Sequence, residues 1–379
     1  MSNASACPNH EVCGSCSWSH IPYQKQLLQK LSDINGSFRL KDLHFECKDI
    51  LPSPQQDHYR NRMDFVIDFE GRVGMRQKGK WWKVIDNHTC FLSDRKIESL
   101  FSTVRQWTRE SGLSYYDRKS HLGFLRYAVI RNTKYGDSLV NLVTSAPSDS
   151  EEELHARKAL TELAGRVPEA SLVWAVNNTK TDVSQGDALE VISGKGLLEE
   201  RFGELRYEIS PQAFFQTNSH AAALLLETVK EYCGDLSGKT LLDLYCGSGF
   251  FAVSLARHTA RTVGVELVAE AIADARRNAE INGVKIDFFD AKTESFDWEK
   301  YNADIVILDP PRSGMHDNAL KDVLRILPPK IVYVSCNYKN FAREMVELQR
   351  HYDLVQIKAI DMFPHTPHVE LVSELRLKN

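Results

Sequence analysis

Chemistry in this 379-residue chain concentrates toward its C-terminal end. Cys336 follows the apolar run Ile331-Val-Tyr-Val-Ser335, which reads as a strand, and Asn337 comes next. A cysteine in such a run is most often inert packing. At the end of a strand in an open α/β sheet, however, it stands on the edge where ligands bind. A thiolate there can add to C6 of a pyrimidine ring, and the addition makes the otherwise unreactive C5 able to attack an electrophilic methyl group. A base must then remove the C5 proton so that the thiolate can leave. The segment Asp361-Met-Phe-Pro-His-Thr-Pro-His-Val-Glu370 supplies candidates: Glu370, with His365 and His368 close by.

A methyl donor needs its own cradle. Asp243-Leu-Tyr-Cys-Gly247-Ser-Gly249 leaves an apolar strand and enters a helix, where glycine lets backbone approach a ligand and a helix start offers unpaired N–H groups. Glu266 ends the next strand 23 residues after Asp243, near the offset of about 20 at which an acid meets ribose hydroxyls in dinucleotide folds. Phe250, Phe251 and Ala252 follow the glycines, so the full G-x-G-x-x-G pyrophosphate pattern is missing. S-adenosylmethionine, with a ribose and no phosphate, suits the loop, which resembles the first motif of class I methyltransferases. Asp309-Pro-Pro-Arg312 ends a further apolar strand and stiffens a second wall of the same pocket. Arg312 stands where amino-methylating enzymes usually carry a stacking aromatic, which argues against exocyclic-amine methylation.

Several elements must position these groups. Strand and helix alternate from about residue 210 to the end, the pattern of a doubly wound, Rossmann-like parallel sheet. Before it, period-two runs such as Met63–Phe69, Phe124–Asn132 and Ser138–Ser145 predict a smaller antiparallel β-rich domain, interrupted by a helix over Glu151–Leu163. A helix is expected over Ile21–Leu31, stopped at Asn35-Gly36. The expected organisation is an N-terminal metal-cluster loop (1–18), a helical segment able to pack on the C-terminal domain (19–51), the β-rich domain (52–209) and the α/β domain (210–379).

The net charge of -4 conceals an asymmetry. His58 to Lys134 holds 16 Lys/Arg against 8 Asp/Glu, leaving 31 against 43 elsewhere. Arg60, Arg62, Arg72, Arg76, Lys78, Lys80 and Lys83 interleave with Tyr59, Trp81 and Trp82, which joins phosphate-neutralising charge to flat stacking surfaces. Hydrophobic content of 42% excludes wholesale disorder. No run reaches the roughly 20 apolar residues of a membrane span, so a soluble cytoplasmic monomer without disulfides or membrane contact is expected. Cys7-x5-Cys13-x2-Cys16 with distant Cys90 offers four thiolates, enough for a tetrahedral zinc or a saturated 4Fe-4S cluster, and the spacing leaves both open.

In the order DLYCGSG, VGVE, LDPPRSG, YVSCN and DMFPHTPHVE, preceded by SPQAFFQTN, nearly the whole chain resembles the RNA uracil-5 methyltransferase family. The resemblance implies that Cys336 is the nucleophile and Glu370 the general base. It further implies that Gln216, Tyr245, Glu266 and Asp309 contact S-adenosylmethionine beside Asp243 and Gly247, and that Phe214 lies near the target base. It moves the cysteine set toward 4Fe-4S, in a structural role. Many members begin with an oligonucleotide-binding domain, which is expected to be missing here, so Arg60 and Arg62 are expected to contact RNA. Members of that kind are most similar to the 23S rRNA enzymes, with position 54 of tRNA as the alternative target. The base is expected to be flipped or to lie in a loop.

Overall fold

The computed structural model describes residues 7–86 and 90–379; Asn87, His88 and Thr89, beside Cys90, lie outside the described residues, as do residues 1–6. The chain opens with α1 (Tyr23–Arg39), β1 (Ile50–Leu51), β2 (Arg62–Ile67), β3 (Val73–Gln77), β4 (Lys80–Asp86) and α2 (Arg95–Glu110). Next come β5 (Leu125–Asn132), β6 (Ser138–Thr144), α3 (Ser150–Arg166), β7 (Ser171–Val176), β8 (Ala188–Ser193), β9 (Leu198–Phe202) and β10 (Leu205–Ile209). The alternating half holds α4 (Ser219–Cys233), β11 (Thr240–Leu244), α5 (Phe250–Leu255), β12 (Arg261–Glu266), α6 (Ala269–Ile281) and β13 (Asp287–Asp290). It ends with β14 (Ile305–Leu308), α7 (Asp317–Ile326), β15 (Lys330–Ser335), α8 (Tyr338–Leu348), β16 (Tyr352–Ile360) and β17 (Glu370–Leu377).

Two compact units result. One comprises residues 1–20, 56–201 and 208–212, the other 21–55, 202–207 and 213–379. The boundary expected at 209/210 is therefore threaded, with 202–207 in the second unit and 208–212 in the first.

The first unit is built on a seven-stranded sheet in the order β4-β3-β2-β5-β6-β7-β8. Its larger core packs Phe65, Phe101, Trp107, Ile130 and Leu160 from β2, α2, β5 and α3. Asp94 caps α2 by accepting the Lys96 N–H at 2.9 Å, supplying a partner for one of the orphan donors of the first turn. The sheet is not wholly antiparallel: β6 and β7 run parallel, because α3 lies between them and a crossover helix returns the chain in the same direction.

The second unit holds an eight-stranded sheet in the order β1-β16-β17-β15-β14-β11-β12-β13. The central strands β11, β12, β14 and β15 are parallel, and their near-continuous apolar sequences are buried, as a sheet covered on both faces requires. β17 enters antiparallel between β15 and β16. The helix expected to stop at Asn35-Gly36 continues to Arg39. Asn35 is occupied by tertiary structure: its amide accepts from the Cys47 N–H at 2.8 Å and donates to the Cys47 carbonyl at 2.9 Å. Ile34 and Phe38 then bury fully on the same stripe, Phe38 against Phe341 of α8 at 5.9 Å. Burying such a ring stabilises by about 1.5–3 kcal/mol, enough to outweigh the roughly 1 kcal/mol that a glycine costs a helix interior. No helix among the described residues is long and apolar enough to cross a membrane.

Candidate active site

At the carboxyl edge of the second unit's sheet, β11 ends in a loop that the sequence forces into an unusual path. Tyr245 and Gly247 both take left-handed φ, +67° and +53°, and Gly249 starts α5 at +82°. Asp243 is fully buried; one carboxylate oxygen accepts the Ala252 N–H at 2.9 Å, while Oδ1 has no partner among the described residues. Burial, then Asp309, pushes the Asp243 carboxyl well above its ordinary range. Glu266, ending β12, accepts the Gly247 N–H at 3.2 Å and the Val268 N–H at 2.9 Å, one on each oxygen. A carboxylate offers about four lone-pair sites, so Glu266 keeps acceptors for a ribose. An orphaned buried carboxylate oxygen, a second acid with spare acceptors and a left-handed glycine loop fit an S-adenosyl ligand.

Asp309 follows β14 at the same edge. Burial, then Glu266, raises its carboxyl to about 7. Pro310-Pro311 lead to a turn closed by the Gly314 N–H donating to the Pro311 carbonyl at 2.8 Å. Buried Glu344 of α8 holds the far side of that turn by accepting the Met315 N–H at 3.0 Å and the Tyr333 hydroxyl. Gly314 has φ +86°, and a Cβ there would lie 2.3 Å from Glu344 Oε1. Arg312 is exposed, but its carbonyl accepts from the Asn337 and Asn340 side chains at 3.1 and 2.8 Å.

The β15–β17 ladder decides the central geometry. Val334 pairs with Val372 and Ser335 with Leu371, the last rung of that ladder; Cys336 follows on one strand and Glu370, which pairs with Ile360 of β16, precedes on the other. Asn337 caps α8 by accepting the Lys339 N–H at 3.1 Å, which ends the strand and leaves Cys336 at the strand–helix turn. Cys336 is the one partly exposed cysteine among the described residues. Burial, then Glu370 and Asp309, pushes its thiol up to about 12, with Arg312 pulling the other way. Burial, then Asp309, also holds Glu370 well above the ordinary carboxylate range, Arg312 again opposing. His368 Nδ1 lies 3.0 Å from the Arg312 guanidinium; since Arg stays charged and can only donate, Nδ1 is the acceptor.

Two residues that sequence reasoning missed anchor the loop before Glu370. Lys30 of α1 is completely buried and donates to Asp361 Oδ1 at 2.6 Å and to the Phe363 carbonyl at 3.1 Å. Gln26, one turn earlier, accepts the His365 N–H at 2.8 Å and reaches His365 Nδ1 at 3.1 Å. His365 is held at φ +65°. The signal was present: Gln26 and Lys30 fall on the apolar stripe of Ile34 and Phe38, and a polar pair at i and i+4 on a buried stripe must have partners. Gln216 lies partly buried before α4, and Phe214 is 70% exposed, so its ring is open for stacking.

The remaining candidates lie in the first unit. Cys7, Cys13, Cys16 and Cys90 are all buried, at 1–4% exposure. Burial, then Cys7 and Cys90, pushes the Cys16 thiol up to about 12. Burial raises Cys90 as well, with Arg60 pulling it back. The sulfurs thus share one region, although no group of three or more His, Cys, Asp or Glu among the described residues converges on a metal position. Arg62 is committed to Asp64 through two bonds of 2.8 and 3.1 Å, and Arg60 is half-buried beside Cys90. Neither is an uncommitted surface cation of the kind expected for phosphate contact.

A parallel sheet with one antiparallel strand inserted near its edge, a glycine loop after its first parallel strand and acids ending the next strands define a class I methyltransferase fold. More particularly, the chain belongs to the tRNA (uracil-5-)-methyltransferase family, whose model matches residues 22–377. It is 38% identical to an uncharacterized RNA methyltransferase of Caldanaerobacter subterraneus, covering 98% of this chain and 84% of that protein. It is equally 38% identical to the tRNA (uracil(54)-C(5))-methyltransferase of Pyrococcus horikoshii, covering 96% and 83%. The crystal structure of the Pyrococcus abyssi tRNA (uracil-54, C5)-methyltransferase in complex with S-adenosyl-L-homocysteine superposes with a TM-score of 0.80 at 35% identity, covering 95% of this chain and 85% of that one.

Proposed function

We infer that this RNA uracil-C5 methyltransferase uses Cys336 as nucleophile and Glu370 as base. The observation that supports the assignment is that the partly exposed Cys336 thiol and the buried Glu370 carboxyl, at the end of the β15–β17 ladder, act on each other electrostatically. Asp243, Tyr245, Gly247, Glu266 and Asp309, with Gln216, hold S-adenosylmethionine, which supplies an electrophilic sulfonium methyl when bound. Cys336 Sγ loses its proton to solvent and bonds to C6 of the uracil. C5 then takes the methyl as its bond to the sulfonium breaks to leave S-adenosylhomocysteine. The Glu370 carboxylate removes the C5 proton, and the electron pair left behind expels Sγ from C6. Burial, then Asp309, raises the proton affinity of Glu370, which strengthens it as an acceptor once ionised and makes its ionisation a condition of that step. Phe214 offers its exposed ring to the extruded base.

Two variants test the roles. Cys336→Ala is expected to make no 5-methyluridine in unmodified RNA while still binding S-adenosylhomocysteine. Glu370→Gln is expected to retain RNA in a denaturation-resistant adduct; a variant that turns over at the wild-type rate removes Glu370 from the mechanism.

Two Pyrococcus relatives are tRNA (uracil(54)-C(5))-methyltransferases, and this favours tRNA as the target over 23S rRNA. Methylation of undermodified tRNA and 23S rRNA in parallel, followed by mapping of 5-methyluridine, decides between them. For Cys7, Cys13, Cys16 and Cys90, four buried thiols in one region, we propose a structural 4Fe-4S cluster, with zinc as the alternative that the same thiols fit; the family resemblance, not the burial, favours the cluster. Iron and sulfide are expected in the purified protein and lost in Cys16→Ser; zinc without sulfide would reverse the choice.

A further inference from the structure

The first unit carries a cavity of about 620 Å3 on its basic hairpin, within the roughly 300–1,000 Å3 of small-molecule sites. Val66 and Val84 line its apolar part, with Phe69, Trp81, Trp82 and Tyr116 around them. Phe69, Trp81 and Trp82 are 48%, 54% and 51% exposed, so each ring keeps about half its surface for a ligand.

Neighbours in a regular strand point to opposite faces, yet Trp81 and Trp82 line the same cavity. The cause is a bulge. Arg76 pairs with Val84 while the next residue, Gln77, pairs with Lys80, so Trp81, Trp82 and Lys83 fall outside the β3 register. Bulges re-aim side chains and recur beside functional sites. Here the two indoles stand at 86° with centroids 5.9 Å apart, one able to meet a flat ring by its face and the other by its edge.

The walls are pinned. Arg76 donates to the Trp81 carbonyl at 2.8 Å and to Asp182 at 2.5 Å; Arg118 donates to the same Asp182 at 2.6 Å and to the Ile67 carbonyl at 3.0 Å. The two acids on the rim are also spent. Asp68 accepts from the Glu70 and Arg72 N–H groups and pairs with the Arg72 guanidinium, while Asp117 accepts from Lys119 N–H and the Ser120 hydroxyl. Lys78, Lys80 and Lys83 on the same hairpin are exposed, and among the described residues none makes a salt bridge.

We propose that this cavity captures an unstacked nucleotide of the RNA substrate other than the target uridine, by stacking its base on Trp81 and Trp82 while Lys78, Lys80 and Lys83 meet the flanking phosphates. The proposal rests on the reading of the chain as an RNA enzyme. Aromatic faces beside exposed cations match a single-stranded nucleotide, whose base is flat and whose linkers are anionic.

Tryptophan emission and RNA affinity test it. Binding of a short oligouridylate or of unmodified tRNA to the full chain is expected to quench tryptophan emission. Trp82→Leu, alone or with Trp81→Leu, is expected to weaken RNA binding by at least about fivefold, from the size of base–aromatic stacking, and to raise KM for RNA more than it lowers kcat. Trp82→Phe should restore most of the affinity, and S-adenosylhomocysteine binding serves as the folding control. RNA that binds wild type without quenching, or a folded double variant with wild-type RNA affinity, overturns the proposal. Should the double variant fail to fold, the wild-type quench and Trp82→Phe decide. A wild type that binds RNA with quenching but forms no 5-methyluridine sinks the catalytic reading and leaves the cavity standing.

Discussion

Burial and two neighbouring carboxyls push the thiol of Cys336 up to about 12 from an ordinary 9.0, with Arg312 and the residue's own backbone N–H pulling the other way. At neutral pH its thiolate fraction is then about a thousandfold smaller than that of an ordinary cysteine, while the more basic thiolate regains about 20-fold in intrinsic reactivity. The net expectation is alkylation by iodoacetamide about 50-fold slower than for a free exposed thiol. Because every other cysteine among the described residues is buried, mass-spectrometric mapping of the Cys336 peptide reads this site directly. Between about pH 7 and about pH 10 the alkylation rate should climb close to tenfold per pH unit without a plateau. Arg312→Leu removes the favourable charge and should slow the reaction further at every pH. Methyl transfer limited by thiol ionisation should follow the same upward slope in kcat/KM. A plateau near pH 9, or labelling as fast as a free thiol, would refute the reasoning, since either means that the thiolate is better stabilised than the surrounding charges allow.

Lys30→Met should be strongly destabilising, because it leaves Asp361 buried and uncompensated. Breaking such a pair costs about 3–5 kcal/mol, or a fall of roughly 6–20 °C in Tm for a unit of about 200 residues; a calorimetric fall under about 2 °C would contradict the burial of that pair. Asp309→Asn should weaken S-adenosylhomocysteine binding yet raise Tm. The wild-type carboxyl lies at about 7 against an ordinary 3.8, so the folded state binds its proton more tightly and stability drains away as pH rises through that window. The variant's advantage in Tm should therefore be larger at about pH 8 than at about pH 5, and the opposite trend would remove the charge from its assigned surroundings. Gly314→Ala should lower both Tm and kcat, since its methyl would collide with Glu344 and shift the turn that follows Pro311; activity and Tm both at wild-type levels would show that the turn yields without consequence.

Much of this architecture is written in local pattern. Period-two runs locate β2, β5 and β6, the strand–helix alternation after residue 210 identifies the parallel sheet, and the strand ends Asp243, Glu266, Asp309 and Cys336 mark the edge where a ligand would sit. Those features survive inspection of the sequence because strand burial and glycine conformations depend on residues a few positions apart. Long-range contacts were not legible in the same way. The extension of α1 through Gly36 depends on Asn35 meeting Cys47, the parallel β6–β7 pair on the route taken by α3, and the loop before Glu370 on Gln26 and Lys30, more than 330 positions away. The commitment of Arg62 to Asp64 and the bulge that turns Trp81 and Trp82 into one cavity are likewise invisible in composition, where charges and rings simply add. Residue type states what a side chain is able to do; which partner spends that capacity, and which group stays open to a substrate, is decided by the free energy of burying polar atoms with or without a match.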